Sequence, residues 1–376
     1  MSHQILLNLS ILFSQPTGIA TYAANLFPHL QPLNPTLLIS PVAEQRFPGA
    51  SHFTCYSIPS NLTPAQGTKG HFRRLLWTQL QLSHIYQTLN CTLLFSPIPE
   101  APLYTNCRYV VMVHDLIPLR FPRPLSPLTP YFRYYIPQVL AQAQHILCNS
   151  IATAQDIIDF FQVPAAKITP IPLAYDNQHF RQLDFPKDDA RRTKEDMGGE
   201  TCPYFLYLGR HDPYKNLHRL IEAFAALPNC RDYQLWIAGS PDRRYTPTLQ
   251  TLANQLNLLD RVKFLDYVPY DQLPTILNQA IALVFPSLWE GFGLPVLEAM
   301  ACGTPVITSN LSALPEVAGD AAILVDPYNT SEITAAMQTV ATDSQLRSHL
   351  STLGLNRARQ FSWAKTGQAT VEVLNL

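Results

Sequence analysis

One alternation constrains this chain more than any other feature, and it runs through the sequence twice. Short apolar runs, "ILLNLS" (5–10), "TLLIS" (36–40), "TLLFS" (92–96), "YVVMV" (109–113), "HILCNS" (145–150) and "ITPIPLA" (168–174), are separated by stretches of helical pattern. Several are Val-, Ile- or Leu-rich throughout, as strands buried on both faces are. Such strands joined by helices build a parallel sheet covered on two sides. Residues 181–200, "RQLDFPKDDARRTKEDMGGE", break the pattern, with dense charge and no apolar period, and read as a linker. The alternation then restarts with "YFLYLG" (204–209), "YQLWIAG" (233–239), "VKFLDYV" (262–268), "IALVFPS" (281–287), "TPVITS" (304–309) and "AAILVD" (321–326). The expectation is α/β: one doubly wound domain over 1–180, a second over 201–360, and an amphipathic helix over 361–376. Ligands of such sheets bind at the carboxyl ends of the strands, here in a cleft between the domains.

Composition narrows the function classes. The chain has 376 residues and a net charge of −1, which gives no bulk argument for nucleic acid. The charge is uneven, with nine basic and six acidic residues in 1–180 against 17 and 21 in the remainder. Seven cysteines with no CxxC pair read as free thiols of a reducing compartment. The start, "MSHQILLNLSILF", has no basic n-region or cleavage site and reads as a strand. No apolar run approaches the roughly 20 residues of a membrane span. The expected location is cytoplasmic.

Four stretches carry candidate chemistry. In "SLWEGFGLPVLEAMACGTPVITSN" (287–310), Glu290 follows a strand and Glu298 lies one turn into the next helix. Pro295 suits a first helical turn. Gly291 and Gly293 permit close backbone approach to a ligand, and the N–H groups at the helix start can hold oxygens. The two carboxylates read either as acceptors for a polyol's hydroxyls or as a loop charge and a cap. In "LYLGRHDPYKNLHRLIEAF" (206–224), Gly209 ends a strand, and Arg210 and Lys215 follow it. Together they suit a diphosphate and its departure, or they are a surface pair. In "PTGIATYAANL" (16–26), Gly18 either brings N–H groups to a phosphate or sugar or simply turns the chain. In "VVMVHDLIP" (110–118), His114 ends a buried strand, where it either meets a substrate hydroxyl or is structural. There is no D-x-D, GxGxxG after the first strand, P-loop, G-x-S-x-G or H-E-x-x-H. Metal-dependent, hydride-transfer, kinase and hydrolase readings lose ground accordingly.

Taken together these stretches resemble the family 4 retaining glycosyltransferases, which have the GT-B architecture of two Rossmann-like domains. The E-x7-E element is Glu290 to Glu298; "LPEVAGDAAILVDP" (314–327) and "GRHDPYKN" continue the pattern. The resemblance implies that Arg210 and Lys215 bind the diphosphate and stabilise it as it leaves. It implies that Glu290 holds donor-sugar hydroxyls, with the backbone of Gly291, Phe292, Gly293 and Leu294 around sugar and phosphate. Glu298 then holds the ribose, His114 contacts the donor sugar, and Gly18 and Gly209 sit at the nucleotide. The family usually has Gly-Gly in the first loop; here Thr17 precedes Gly18, a departure from that pattern. The tail around Trp363 resembles the helix that crosses back to the N-terminal domain. The implied reaction moves a hexose to an acceptor hydroxyl with retention, with no cofactor and no metal.

"VHDLIPLRFP" with "NLSALPEVAG" looks most like mannosyltransferases of polysaccharide assembly, which favours GDP-mannose; UDP-glucose stays open. A catalytically silent nucleotide-sugar-binding protein and a nucleotide-sugar epimerase are the rival classes. The acceptor is a saccharide or lipid-linked saccharide. "KGHFRRLLW" (69–77) sets Lys69, Arg73 and Arg74 beside Phe72 and Trp77. It reads as a peripheral contact with the cytoplasmic membrane face, or as a helix with a core face and solvated charges.

Overall fold

The computed structural model describes residues 4–13, 18–123, 126, 128–184 and 202–375. The charged stretch 185–200 of the expected linker, and Pro16 and Thr17, lie outside them. The chain divides into two compact units, Met1–Leu173 with Ser362–Leu376, and Ala174–Phe361.

In the first unit β1 (Ile5–Asn8), β2 (Thr36–Ile39), β3 (Cys55–Ser57), β4 (Leu93–Ser96), β5 (Tyr109–Val113), β6 (His145–Cys148) and β7 (Ile168–Pro170) form one sheet in the order β3-β2-β1-β4-β5-β6-β7. Every pairing is parallel. The order reverses between β1 and β4, so the loops leaving these strands diverge and open a crevice. In the second unit β8 (Tyr204–Leu208), β9 (Gln234–Ala238), β10 (Val262–Leu265), β11 (Ala282–Phe285), β12 (Val306–Ser309) and β13 (Ile323–Val325) run β10-β9-β8-β11-β12-β13, again all parallel. Its reversal lies between β8 and β11. The loop with Arg210 and Lys215 and the loop with Glu290 therefore leave neighbouring strands at the switch point. Both units are Rossmann-like, and the central strands are buried throughout, as their uninterrupted apolar runs require.

Some elements differ from expectation. The helical pattern near 69–89 is two helices, Gly67–Leu80 and Leu82–Thr88. The stretch near 127–143 includes a wide turn, Tyr131–Tyr135, before the helix Ile136–Gln142. Pro137 has no N–H to give the Arg133 carbonyl, and the wider turn accommodates that loss. The helix Ser344–Ala358 gives little apolar signal because it buries Leu350, Gly354 and Ala358, two of them too small to mark a stripe.

The helix Trp363–Leu374 belongs to the first unit. The Thr366 hydroxyl donates to the Pro172 carbonyl at 2.8 Å, and the Trp363 ring lies 6.2 Å from that of Tyr22. Gly367 makes the close approach: a Cβ there would stand 2.3 Å from His29 Cβ.

Candidate active site

β8 ends in a turn fixed from several sides. The Tyr207 hydroxyl donates to the Arg210 carbonyl at 2.9 Å. The Arg210 side chain is 70% exposed and its Nε lies 3.2 Å from Asp212 Oδ2. The short turn Pro213–Lys215 follows, and Asn216 closes it in a left-handed conformation (φ 64°). Asn216 is fully buried, and its Nδ2 donates to the carbonyls of Pro286 (3.0 Å) and Pro327 (2.6 Å). One amide thus staples the turn to the segments after β11 and β13. The Leu288 N–H donates to the Tyr214 carbonyl at 2.8 Å, which ties the two switch-point loops directly.

Those ties bring Lys215 and Glu290 together. Lys215 Nζ donates to Glu290 Oε1 at 2.6 Å, with both side chains about nine-tenths buried. The ammonium also lies 5.2 Å from the Tyr214 and Phe285 ring centroids, where the negative ring faces hold it. The Glu290 N–H donates to Ser312 Oγ at 3.0 Å, and Ser312 is itself left-handed (φ 57°). Gly291, Phe292 and Gly293 are buried along the turn. Gly293 has φ 108°, and a Cβ there would meet Leu314 Cδ2 at 2.7 Å, so the position takes only glycine. The helix Leu294–Ala301 starts next, with Pro295 in its first turn.

Glu298 is in a different state. No described residue hydrogen-bonds its carboxyl, and burial raises its pKa from 4.5 to about 7. Tyr270 stands near it: Asp176 and Glu298 add to the burial that raises the Tyr270 phenol. Just before Tyr270, residues 264–269 with Gln272 and Ile276 line a cavity of about 280 Å³ after β10. The sequence did not single out this cavity. His211 lies close to it, its ring 6.2 Å from that of Phe264. His211 is buried, with Nδ1 2.8 Å from Thr246 Oγ1 and Nε2 without a hydrogen-bond partner among the described residues.

The remaining candidates stand on the first unit. His114, at the end of β5, has Nε2 2.9 Å from the Pro97 carbonyl. A carbonyl only accepts, so Nε2 carries the proton. Burial lowers the pKa from 6.5 to about 4 against the pull of that carbonyl, so the ring is neutral at pH 7 with Nδ1 as an acceptor. Gly18 opens the helix Gly18–Leu26, whose Tyr22 packs edge-on against His114 at 4.9 Å. Asn149, not foreseen from sequence, holds the His114 carbonyl through Nδ2 at 2.8 Å. The membrane-contact reading of 69–77 needs one correction. Arg74 is 2% exposed and doubly bonded to Glu100, Nε to Oε2 at 2.8 Å and Nη2 to Oε1 at 2.7 Å. It is an internal ion pair and meets no external surface.

Two Rossmann-like units with charged and hydroxyl-accepting groups at the second unit's switch point define a GT-B type of protein. The model for "Glycosyl transferases group 1" matches residues 191–357 and that for "Glycosyltransferase Family 4" matches 16–179. The chain belongs to this glycosyltransferase family. It is 32% identical over 252 residues to O-antigen chain mannosyltransferase B of Escherichia coli, a match covering 65% of this chain and 64% of that protein. It is 27% identical over 343 residues to O-antigen chain mannosyltransferase RfbU of Salmonella typhimurium, covering 89% and 90%. The chain thus spans a little under two thirds of the first relative's length. The crystal structure of Anabaena HepE in complex with UDP and glucose shares the fold, with TM-score 0.74, 19% identity and 99% of both chains covered.

Proposed function

We propose that the protein is a retaining glycosyltransferase that moves a hexose from a nucleoside diphosphate sugar to a hydroxyl of a saccharide or lipid-linked saccharide. The observation that carries this reading is the 2.6 Å contact of Lys215 with Glu290 at the switch point. A cation suited to phosphate and a carboxylate suited to hydroxyls meet where a hexose joins its diphosphate. Arg210, exposed in the same loop, adds a second phosphate donor. Glu298 accepts from the ribose hydroxyls, and the cavity after β10 takes the base. His114 accepts a sugar hydroxyl through Nδ1. Gly18 and Gly209 let backbone approach the nucleotide, and the turn Gly291 to Leu294 offers N–H groups to sugar and phosphate.

In the step itself the acceptor oxygen bonds to the anomeric carbon as its bond to the diphosphate oxygen breaks. The acceptor's proton passes to the departing diphosphate on the same face of the sugar. Arg210 and Lys215 carry the leaving charge, so the reading invokes no metal and no cofactor. The mannosyltransferase names of the relatives favour mannose from GDP-mannose. UDP-glucose is the second reading, favoured by the UDP and glucose in the HepE complex. A lipid-linked acceptor calls for a peripheral membrane contact on the first unit. The test is incubation with a panel of nucleoside diphosphate hexoses. Slow release of nucleoside diphosphate supports transfer. An epimerised donor, or binding without turnover, overturns it.

A further inference from the structure

The helix Gly67–Leu80 uses two faces differently. Gly70, Arg74 and Thr78 are buried. On the opposite side, at 100° per residue, Phe72, Leu76 and Leu80 fall on one stripe interleaved with Lys69 and Arg73. All five are exposed, Phe72 by 61% and Leu80 by 68%. A helix whose core face is already filled has no internal use for this stripe.

The surface continues beyond the helix. Gln79 flanks the stripe, and it donates through Nε2 to the Ala101 carbonyl (2.9 Å) and accepts at Oε1 from the Leu103 N–H (3.0 Å). That brings the loop with Tyr104 alongside. Tyr104 is 81% exposed, and its hydroxyl donates to Gln138 Oε1 at 2.6 Å. Gln138 in turn donates to the carbonyl of Tyr134, a second exposed tyrosine.

The charge of this region has one sign. Between Glu44 and Asp156 the chain holds only two acidic residues, Glu100 and Asp115. Glu100 is buried on Arg74, and Asp115 accepts from the Ile117 N–H. Lys69, Arg73 and Arg133 are exposed and form no ion pair with a described residue. Aliphatic and phenyl groups interleaved with unopposed cations, with tyrosines at the margin, complement a negatively charged lipid surface. The apolar groups enter the headgroup–acyl boundary and the cations meet anionic headgroups. A protein interface of comparable apolarity is depleted of lysine at its centre.

We propose that this face, Phe72, Leu76 and Leu80 with Lys69, Arg73 and the Tyr104–Tyr134 margin, docks the protein peripherally on an anionic bilayer. The inference deepens the lipid-linked part of the proposed function, yet its test uses no donor. The measurement is co-sedimentation of the whole protein with phosphatidylcholine vesicles, with and without phosphatidylglycerol, at low and high salt. Binding is expected only with phosphatidylglycerol and is expected to weaken with salt. The pairs Leu76→Ser with Leu80→Ser, and Lys69→Glu with Arg73→Glu, each lower partition by about ten-fold or more. Leu259→Ser, an exposed apolar residue of the second unit, leaves it unchanged. No binding, equal binding to neutral vesicles, or insensitivity to both pairs overturns the proposal. So does a self-associating wild type that the Leu pair makes monomeric and that no vesicle binds. Because the substituted positions are exposed, turnover of a soluble acceptor persists in all variants. Loss of vesicle binding and loss of transfer are therefore read separately.

Discussion

The strand ends of the two units handle burial in opposite ways. In the second unit a buried lysine and a buried glutamate neutralise each other as a 2.6 Å pair. In the first unit His114 is neutralised by losing its proton, its pKa driven down to about 4. Glu298 sits between these cases, in the charged unit but without an ionic partner, and it responds by keeping its proton to about pH 7. One cause, the cost of charge away from water, gives three outcomes according to what stands within reach. The difference separates two tasks. Paired charges suit a ligand that brings phosphate, while a neutral acceptor suits hydroxyls.

Breaking the pair is the largest test of that contrast. Lys215→Ala is expected to lower kcat by about 10²–10³, since it strands Glu290 and removes the charge that, in the proposed function, meets the departing diphosphate. Near-normal turnover in that variant would end the diphosphate assignment. Asn216→Ala is next, because it orphans the carbonyls of Pro286 and Pro327 and puts alanine at φ 64°. Urea denaturation should show a loss of about 2–4 kcal/mol, whereas an unchanged midpoint would show that the staple is idle.

Acid titration sharpens the comparison further. Folded Glu298 holds its proton to about pH 7 while the unfolded carboxyl releases it near 4.5, so the folded state binds more protons between these values. Its contribution makes stability fall as pH rises from 4.5 to 7. His114 acts with the other sign: its contribution is present above 6.5 and is lost as pH falls from 6.5 to 4. Denaturation across pH 4–8 should therefore show Glu298→Gln gaining roughly 1–2 kcal/mol near pH 8 and retaining only the histidine slope below. An identical pH profile for the variant and the wild type would refute the shift. The same variant should lose the tightening of nucleoside diphosphate binding expected as pH rises through 7. The smallest effect belongs to Ser312→Ala, which removes one hydrogen bond to the Glu290 backbone, about 1 kcal/mol. It is expected to raise KM for the donor a few-fold with a smaller change in kcat, and a change confined to thermal stability would deny it any part in placing Glu290.

The alternation of apolar runs was enough to assign the strands to two sheets, all but β3, because buried parallel strands must be apolar throughout; β3 lies at the sheet edge, largely exposed, and makes no such run. The candidates Lys215 and Glu290 were legible for the same reason: each follows such a run. Asn216 and Ser312 were not. Their roles depend on left-handed backbone and on partners 70, 111 and 22 positions away. Arg74 was read with its neighbours as a surface base because Glu100, 26 residues on, gives no local signal of pairing. The cavity at the end of β10 is lined by "FLDYVP", most of which reads as a continuation of the strand run "VKFLDYV"; nothing local marks that the strand stops at Leu265.

The helix Trp363–Leu374 gives the chain a particular order of completion. Its residues are among the last described in the sequence, yet Thr366, Gly367 and Trp363 pack on parts of the first unit. A ribosome extends the chain from its amino end, so the second unit has all of its residues before the first does. The earlier-translated sheet must wait, with the surface around His29 and Pro172 uncovered, until the whole of its successor has emerged. A stop codon before Trp363 would therefore injure the part of the protein that was made first.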